Sequence, residues 1–227
     1  MVDLLQIGSR SVALVALTLA CSCAVESSEP DARRDVAAVV EALTTNCSPD
    51  QASFARAAAV AAGMALLGAG ADIGGVEDGG DASRFDYWFG AHEPENIRVV
   101  TQVLLGSYEM IATAEFRCGC DDPDPNLIAQ TITNDPNQLI RLCPPFFERD
   151  FTEFAVGGLI HELSHLNGTL HWKTGASCFP GDPHWPDYWH ALTSNPYGAT
   201  NNAESYRLYA LDWQPGEASS RGAVCTD

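Results

Sequence analysis

The stretch HELSHLNGTLHW, residues 161–172, decides how the chain is read. His161 and His165 stand four residues apart, so on a helix both rings leave the same face. Two imidazoles in that relation can take neighbouring positions around one zinc ion, Zn2+. Glu162 lies about 100° further round the helix. It would stand beside the metal rather than on it, placed as general base to take a proton from a water that zinc activates. Zinc would supply the rest, acidifying that water and polarising a scissile carbonyl. H-E-x-x-H also occurs in helices whose histidines are caps or surface groups. The apolar turn ahead of it, Val156-Gly157-Gly158-Leu159-Ile160, marks a helix packed into a core and weighs toward a zinc site.

The residues after the helix extend the pattern. HELSHLNGTLH fits H-E-x-x-H-x-x-G-x-x-H, in which a glycine turns the chain so that a third histidine swings back to the metal. Gly168 and His171 sit where this requires. The metzincins, which share the pattern, also need a methionine turn, and no methionine follows here, so the chain is not one of them. The spacing alone supports His171 as third ligand. A loop histidine stacked among Trp172 and Trp185 is the competing reading.

Around this helix the chain reads as one mostly helical α+β domain. Ser48-Pro49-Asp50-Gln51 is a helix start, with Ser48 as N-cap, Pro49 first in the helix and Gln51 reaching back. The Ala-rich run is expected to be helical to about Leu67, ended by Gly68 and Gly70. Residues 72–83 read as an acidic, glycine-rich, solvated loop. Pro94 opens a second helix carrying Val99, Val100, Val103, Leu104 and Ile111 at helical spacing. Segments 115–120, 128–132 and 137–143 read as short strands between Asp/Pro/Asn turns. The motif helix is expected over Phe151–Leu166. Asn201 with Glu204 reads as an N-cap and N3 pair opening a last helix through Leu211.

The bulk composition narrows the class. With 46% hydrophobic residues the chain can bury a sizeable core. Its formal charge of -18 argues against nucleic acid and anionic membrane surfaces as partners. Residues 1–24 read as a signal peptide: Arg10 precedes a short apolar run, Ser11–Ala20, and small residues follow. Cleavage after Ala24 and lipid attachment at Cys21 are both open, so the chain is expected to be secreted or lipid-anchored at the cell surface or periplasm. Residues 25–46 read as a flexible tether and 47–227 as the folded domain. Six cysteines fall beyond the leader: Cys47, Cys118, Cys120, Cys143, Cys178 and Cys225. That even count in an exported chain points to three disulfides.

Five segments carry a more specific signal: RFDYWFGA (84–91), FRCGCDDPDPN (116–126), LIRLCPPFF (139–147), GGLIHELSH (157–165) and NPYGATNNAESYRLYA (195–210). Their order and spacing resemble the aspzincins, the deuterolysin and peptidyl-Lys metalloendopeptidase family, across most of residues 47–211. The resemblance implies a zincin-like metalloprotease domain: a helical α+β fold with a small strand region and an H-E-x-x-H active-site helix. It also suggests the pairs Cys47–Cys118 and Cys120–Cys143. That leaves Cys178 for Cys225, and non-reducing peptide mapping that joins Cys178 to any other cysteine refutes the third bridge.

At the third ligand the chain departs from this family. The family has an aspartate in G-T-x-D-x-x-Y-G, and here Gly168-Thr169-Leu170-His171-Trp172-Lys173-Thr174-Gly175 stands in its place. His171 replaces the aspartate and Thr174 the tyrosine that stabilises the oxyanion. Asp182 and Asp187 are the competing ligands, in that order behind His171. Tyr188 or His190 could replace the tyrosine, although packing against Trp185 and Trp189 is the stronger reading for each one singly. Lysine-directed members receive the substrate's lysine on acids near their Asn-Ala-Asp segment. Here Asn202-Ala203-Glu204 keeps one acid, but Arg207 follows, and its charge would repel a lysine.

The leading expectation is a monomeric zinc metalloendopeptidase acting on protein or peptide substrates. His161, His165 and His171 would hold the metal, and Glu162 would be the base. The alternative is a catalytically inactive domain of the same fold that binds an extracellular protein. A structural zinc domain is the third reading, and it would show four protein ligands at once.

Overall fold

Ser48 starts the first helix by the means expected of it. Its hydroxyl accepts from the Gln51 N–H at 3.2 Å, and the Gln51 side chain accepts from the Ser48 N–H at 3.0 Å. The computed structural model describes residues 44–121, 127–132, 136–170 and 194–212. A short strand, β1 (Thr44–Thr45), precedes the cap, and helix α1 runs Pro49–Glu77.

The helix does not stop at Gly68 and Gly70, as the sequence suggests, but passes through them and through Gly74 and Gly75. Each interior glycine costs about 1 kcal/mol of helix propensity relative to alanine. Ala69, Ile73 and Val76 continue the buried face set by Ala55, Ala58, Ala62 and Leu66, so burial outweighs propensity. Half of the expected loop 72–83, residues 72–77, is therefore the end of α1. Helix α2 (Ser83–Phe89) follows, burying Phe85, Trp88 and Phe89 at helical spacing. Seven residues are too few to display a periodicity, and sequence reading assigned no element there. Helix α3 (Pro94–Met110) starts at Pro94 as expected and packs Ile97, Val100 and Leu104 into the core. A Cβ on Gly63 of α1 would stand 3.3 Å from Ile111 Cδ1, so the glycine permits a close approach to the end of α3.

Three of the four strands fall inside the expected segments: β2 (Glu115–Cys118), β3 (Ala129–Gln130) and β4 (Leu139–Leu142). The sheet order is β1-β2-β4-β3, with β1, β2 and β4 parallel and β3 antiparallel to β4 at the edge. Phe116 pairs with Ile140 in the β2–β4 register, and both are fully buried. Two disulfides staple the sheet to its flanks, as the resemblance implied. Cys47–Cys118 has a Cα separation of 5.0 Å and Cys120–Cys143 of 5.1 Å. Closing loops of this length contributes about 3–4.5 kcal/mol each in the chain-entropy account. Cys178 and Cys225 lie outside the described residues.

Helix α4 (Pro144–Glu148) leads to the motif helix, which is not one regular helix from Phe151. Phe151–Val156 is π-helical, and α5 (Gly157–Leu166) continues from it. Single π turns inside helices are frequent at functional sites. Phe54 of α1 holds this region by ring contacts to Phe146, Phe147 and Phe151, with centroids 5.3–5.8 Å apart. Helices α6 (Pro196–Thr200) and α7 (Ala203–Ala210) close the described fold. The N-cap of α7 is Asn202, not Asn201, and its side chain turns to Ser205 Oγ. Glu204 does not complete a capping box, because its carboxylate is bound elsewhere. α5 lies against α1, α3, α7 and strand β3, which makes it the central element of a mostly helical α+β domain.

Candidate metal centre

Small residues set α5 in its place. A Cβ on Gly158 would stand 3.3 Å from Ile128 Cγ2, just ahead of β3. A Cβ on Gly157 would stand 3.0 Å from Leu211 Cδ1 and 3.2 Å from Arg207 Cδ. The two glycines thus let the start of α5 press between the sheet edge and α7. At its other end Asn167 Nδ2 donates to Leu163 O at 3.0 Å and to Ser107 Oγ at 3.2 Å. A Cβ on Gly106 would fall 2.3 Å from Asn167 Oδ1, so α3 offers a glycine where Asn167 docks.

The chain turns sharply after the helix at Gly168, whose φ is 89°. The turn returns Thr169 to the helix end: its hydroxyl donates to Ser164 Oγ at 2.9 Å, and its carbonyl faces His165 Nδ1 at 2.8 Å. A carbonyl can only accept, so His165 carries its proton on Nδ1. His161 Nδ1 lies 3.3 Å from Glu204 Oε2. Glu204 is held ionised: burial raises its pKa, but Arg207 and His161 outweigh this and keep it well below the ordinary value. A carboxylate also only accepts, so His161 likewise carries its proton on Nδ1.

With Nδ1 of each ring turned to an acceptor, Nε2 is the atom that the neutral tautomer offers to a metal, and the two Nε2 atoms face each other 3.2 Å apart. Tetrahedral zinc with Zn–N bonds of about 2.0–2.1 Å would separate two ligand nitrogens by about 3.3 Å. The donor set and its spacing fit the metal that the motif implies. Each Nδ1 is oriented by an acceptor, as histidine ligands of zinc commonly are. Among the described residues no group of three or more His, Cys, Asp or Glu side chains converges. His171, Asp182 and Asp187 lie outside the described residues, as do Thr174, Tyr188 and His190.

Glu162 is 8% exposed. Burial pushes its pKa up, against the attraction of His161 and a hydrogen bond from the Thr131 N–H. A zinc ion beside it would act in the opposite direction. The sheet edge thus orients the carboxylate from one side and the helix from the other, leaving a proton acceptor next to the histidine pair.

Sequence reasoning missed three of these contacts. Thr131 and Thr169 act through backbone atoms, whose targets no residue pattern announces. Glu204 was read as a helix cap or a substrate acid, but it joins His161 to Arg207, with Arg207 Nε donating to Glu204 Oε2 at 2.9 Å. Its one visible signal was the departure from the family pattern at Arg207.

Comparison with known proteins bears on the family and the fold. The aspzincin family model, described as lysine-specific metallo-endopeptidase, matches residues 76–211. Among solved structures, a zinc peptidase from Grifola frondosa shares the fold with a TM-score of 0.59 at 20% sequence identity. The match covers 73% of this chain and 97% of that one. No curated protein matches the chain in sequence. The motif helix, the histidine pair and a family match spanning more than half of the residues lead to one conclusion: the chain belongs to the aspzincin family of metalloendopeptidases.

Proposed function

We propose that this protein is a secreted zinc endopeptidase that hydrolyses peptide bonds in protein substrates, with Glu162 as general base. The observation that carries the reading is the pair of His161 and His165 Nε2 atoms, 3.2 Å apart, each ring oriented through Nδ1 by its own acceptor, beside a buried Glu162. Zinc, when bound, supplies Lewis-acid polarisation of the scissile carbonyl and acidifies the attacking water. Glu162 accepts that water's proton on a carboxylate oxygen and delivers it to the departing amine. Its orientation comes from the Thr131 N–H, so little reorganisation is needed at the moment of transfer. Export is supported by the leader-like N-terminus and by two disulfides, which persist in oxidising compartments.

His171 is proposed as the third ligand, on the spacing after Gly168. Metal analysis tests both the site and the choice. Chelation of the purified mature chain is expected to abolish casein hydrolysis, and one equivalent of zinc to restore it. His171→Ala is expected to weaken zinc retention at least 10-fold, whereas Asp182→Ala leaves it near the parental value. The reverse pattern would transfer the role to Asp182. Casein hydrolysis that survives complete metal removal would dismiss the zinc mechanism.

A further inference from the structure

Resting on the zinc-site reading above, we infer that Glu204 is the positioning residue of His161, held in that role by Arg207, and is not a receptor for a substrate lysine. Three contacts form a continuous chain. The Arg207 guanidinium grips both Glu204 oxygens, Nε to Oε2 at 2.9 Å and Nη2 to Oε1 at 2.5 Å. Glu204 Oε2 then meets His161 Nδ1 at 3.3 Å. His161 Nε2 points at its counterpart on His165 at 3.2 Å. A two-point grip of this kind fixes the plane of a carboxylate. A fixed carboxylate fixes the imidazole that donates to it, in both ring orientation and tautomer.

The seat is built for the arginine. Gly157 leaves room for its stem, since a Cβ there would stand 3.2 Å from Arg207 Cδ and 3.3 Å from Cγ. The three side chains are only 13–18% exposed, which limits screening by water. Glu204 has its negative charge matched on one side by Arg207 and oriented on the other toward His161. A lysine ammonium entering the cleft would meet a carboxylate already paired and a guanidinium of its own sign. His161 and His165 thus differ in how they are held. A carbonyl orients His165 from its own loop, whereas an ionised side chain orients His161 from α7.

Two measurements test this. The first is the 15N spectrum of the metal-free mature chain, in which the His161 shifts report the tautomer directly. A proton on Nδ1 is expected, lost in Glu204→Ala and kept in Glu204→Gln, whose amide oxygen can still accept. The second is zinc affinity by competition with a chromophoric chelator. Glu204→Ala is expected to weaken it by about 10- to 100-fold, and Glu204→Gln to recover most of the loss. A parental His161 protonated on Nε2 would overturn the inference without any variant. So would parental zinc affinity in a folded Glu204→Ala protein. A parental casein digest confined to lysine sites and relaxed in Glu204→Gln would assign Glu204 to the substrate instead. A parent that takes up no zinc refutes the enzyme reading, and the tautomer result still judges the Glu204 contact separately.

Discussion

Glu162→Gln is expected to keep zinc bound and to lower casein hydrolysis by about 10²- to 10⁴-fold, the usual contribution of a positioned general base. Glutamine preserves the volume and polarity of a side chain that is 8% exposed, so the helix and its two histidines should be undisturbed. It still accepts the Thr131 N–H, but it cannot take a proton. The comparison therefore isolates proton transfer from metal binding, provided zinc content is measured on the same samples. Equal hydrolysis by parent and variant would remove Glu162 from the chemistry. Inactivity of both with zinc bound would favour the binding-domain reading, with the altered segment around His171 and Thr174 as the place to look for the cause.

Arg207→Met should destabilise the fold strongly. Methionine fills most of the stem's space beside Gly157 but leaves Glu204 without its main partner. Side-chain exposures of 13% for Arg207 and 18% for Glu204 place this pair far from the surface regime. Removing one member of a buried ion pair typically costs about 3–5 kcal/mol. For a domain of this size that is roughly 6–20 °C in melting temperature. The measurement belongs in chelator, so that any change in bound zinc does not enter the comparison.

The pH dependence of this loss has a definite sign. Glu204 in the parent titrates below its ordinary value of 4.5, because Arg207 and His161 outweigh the effect of burial. A depressed carboxylate stabilises the fold fully above its unfolded value and ceases to do so as pH falls through the folded one. In the variant the carboxyl can escape its penalty by taking a proton. The gap in melting temperature between parent and variant should thus be widest near neutrality and shrink as pH falls through the variant's carboxyl pKa toward the depressed one of the parent. A gap under about 1 kcal/mol at pH 7 would mean that the pair behaves like a solvated surface bridge.

Local rules carried much of the reading. The capping box at Ser48, Pro49 and Gln51 formed as written, since its partners lie within one turn. His161 and His165 share a face because four residues make just over one helical turn, whatever surrounds them. Gly168 marks a turn that few other residues adopt without strain, and its φ of 89° agrees. Where the local rule and the core disagreed, the core prevailed. Gly68 and Gly70 look like a helix end, but Ala69, Ile73 and Val76 had a surface to bury, and α1 ran on to Glu77.

The sequence by itself determined the chemistry on offer: a helix with two imidazoles on one side, a carboxylate beside them, and cysteines enough to brace the sheet. Only the tertiary structure decided how those groups are held. It brought the Thr131 N–H from the sheet edge to Glu162, seated Asn167 on Gly106, and turned Glu204 from helix cap to partner of His161. The physical reason is the same in each case. Helix caps and periodicities depend on neighbours within a turn of chain, whereas the orientation of a ligand depends on which distant surface packs against it.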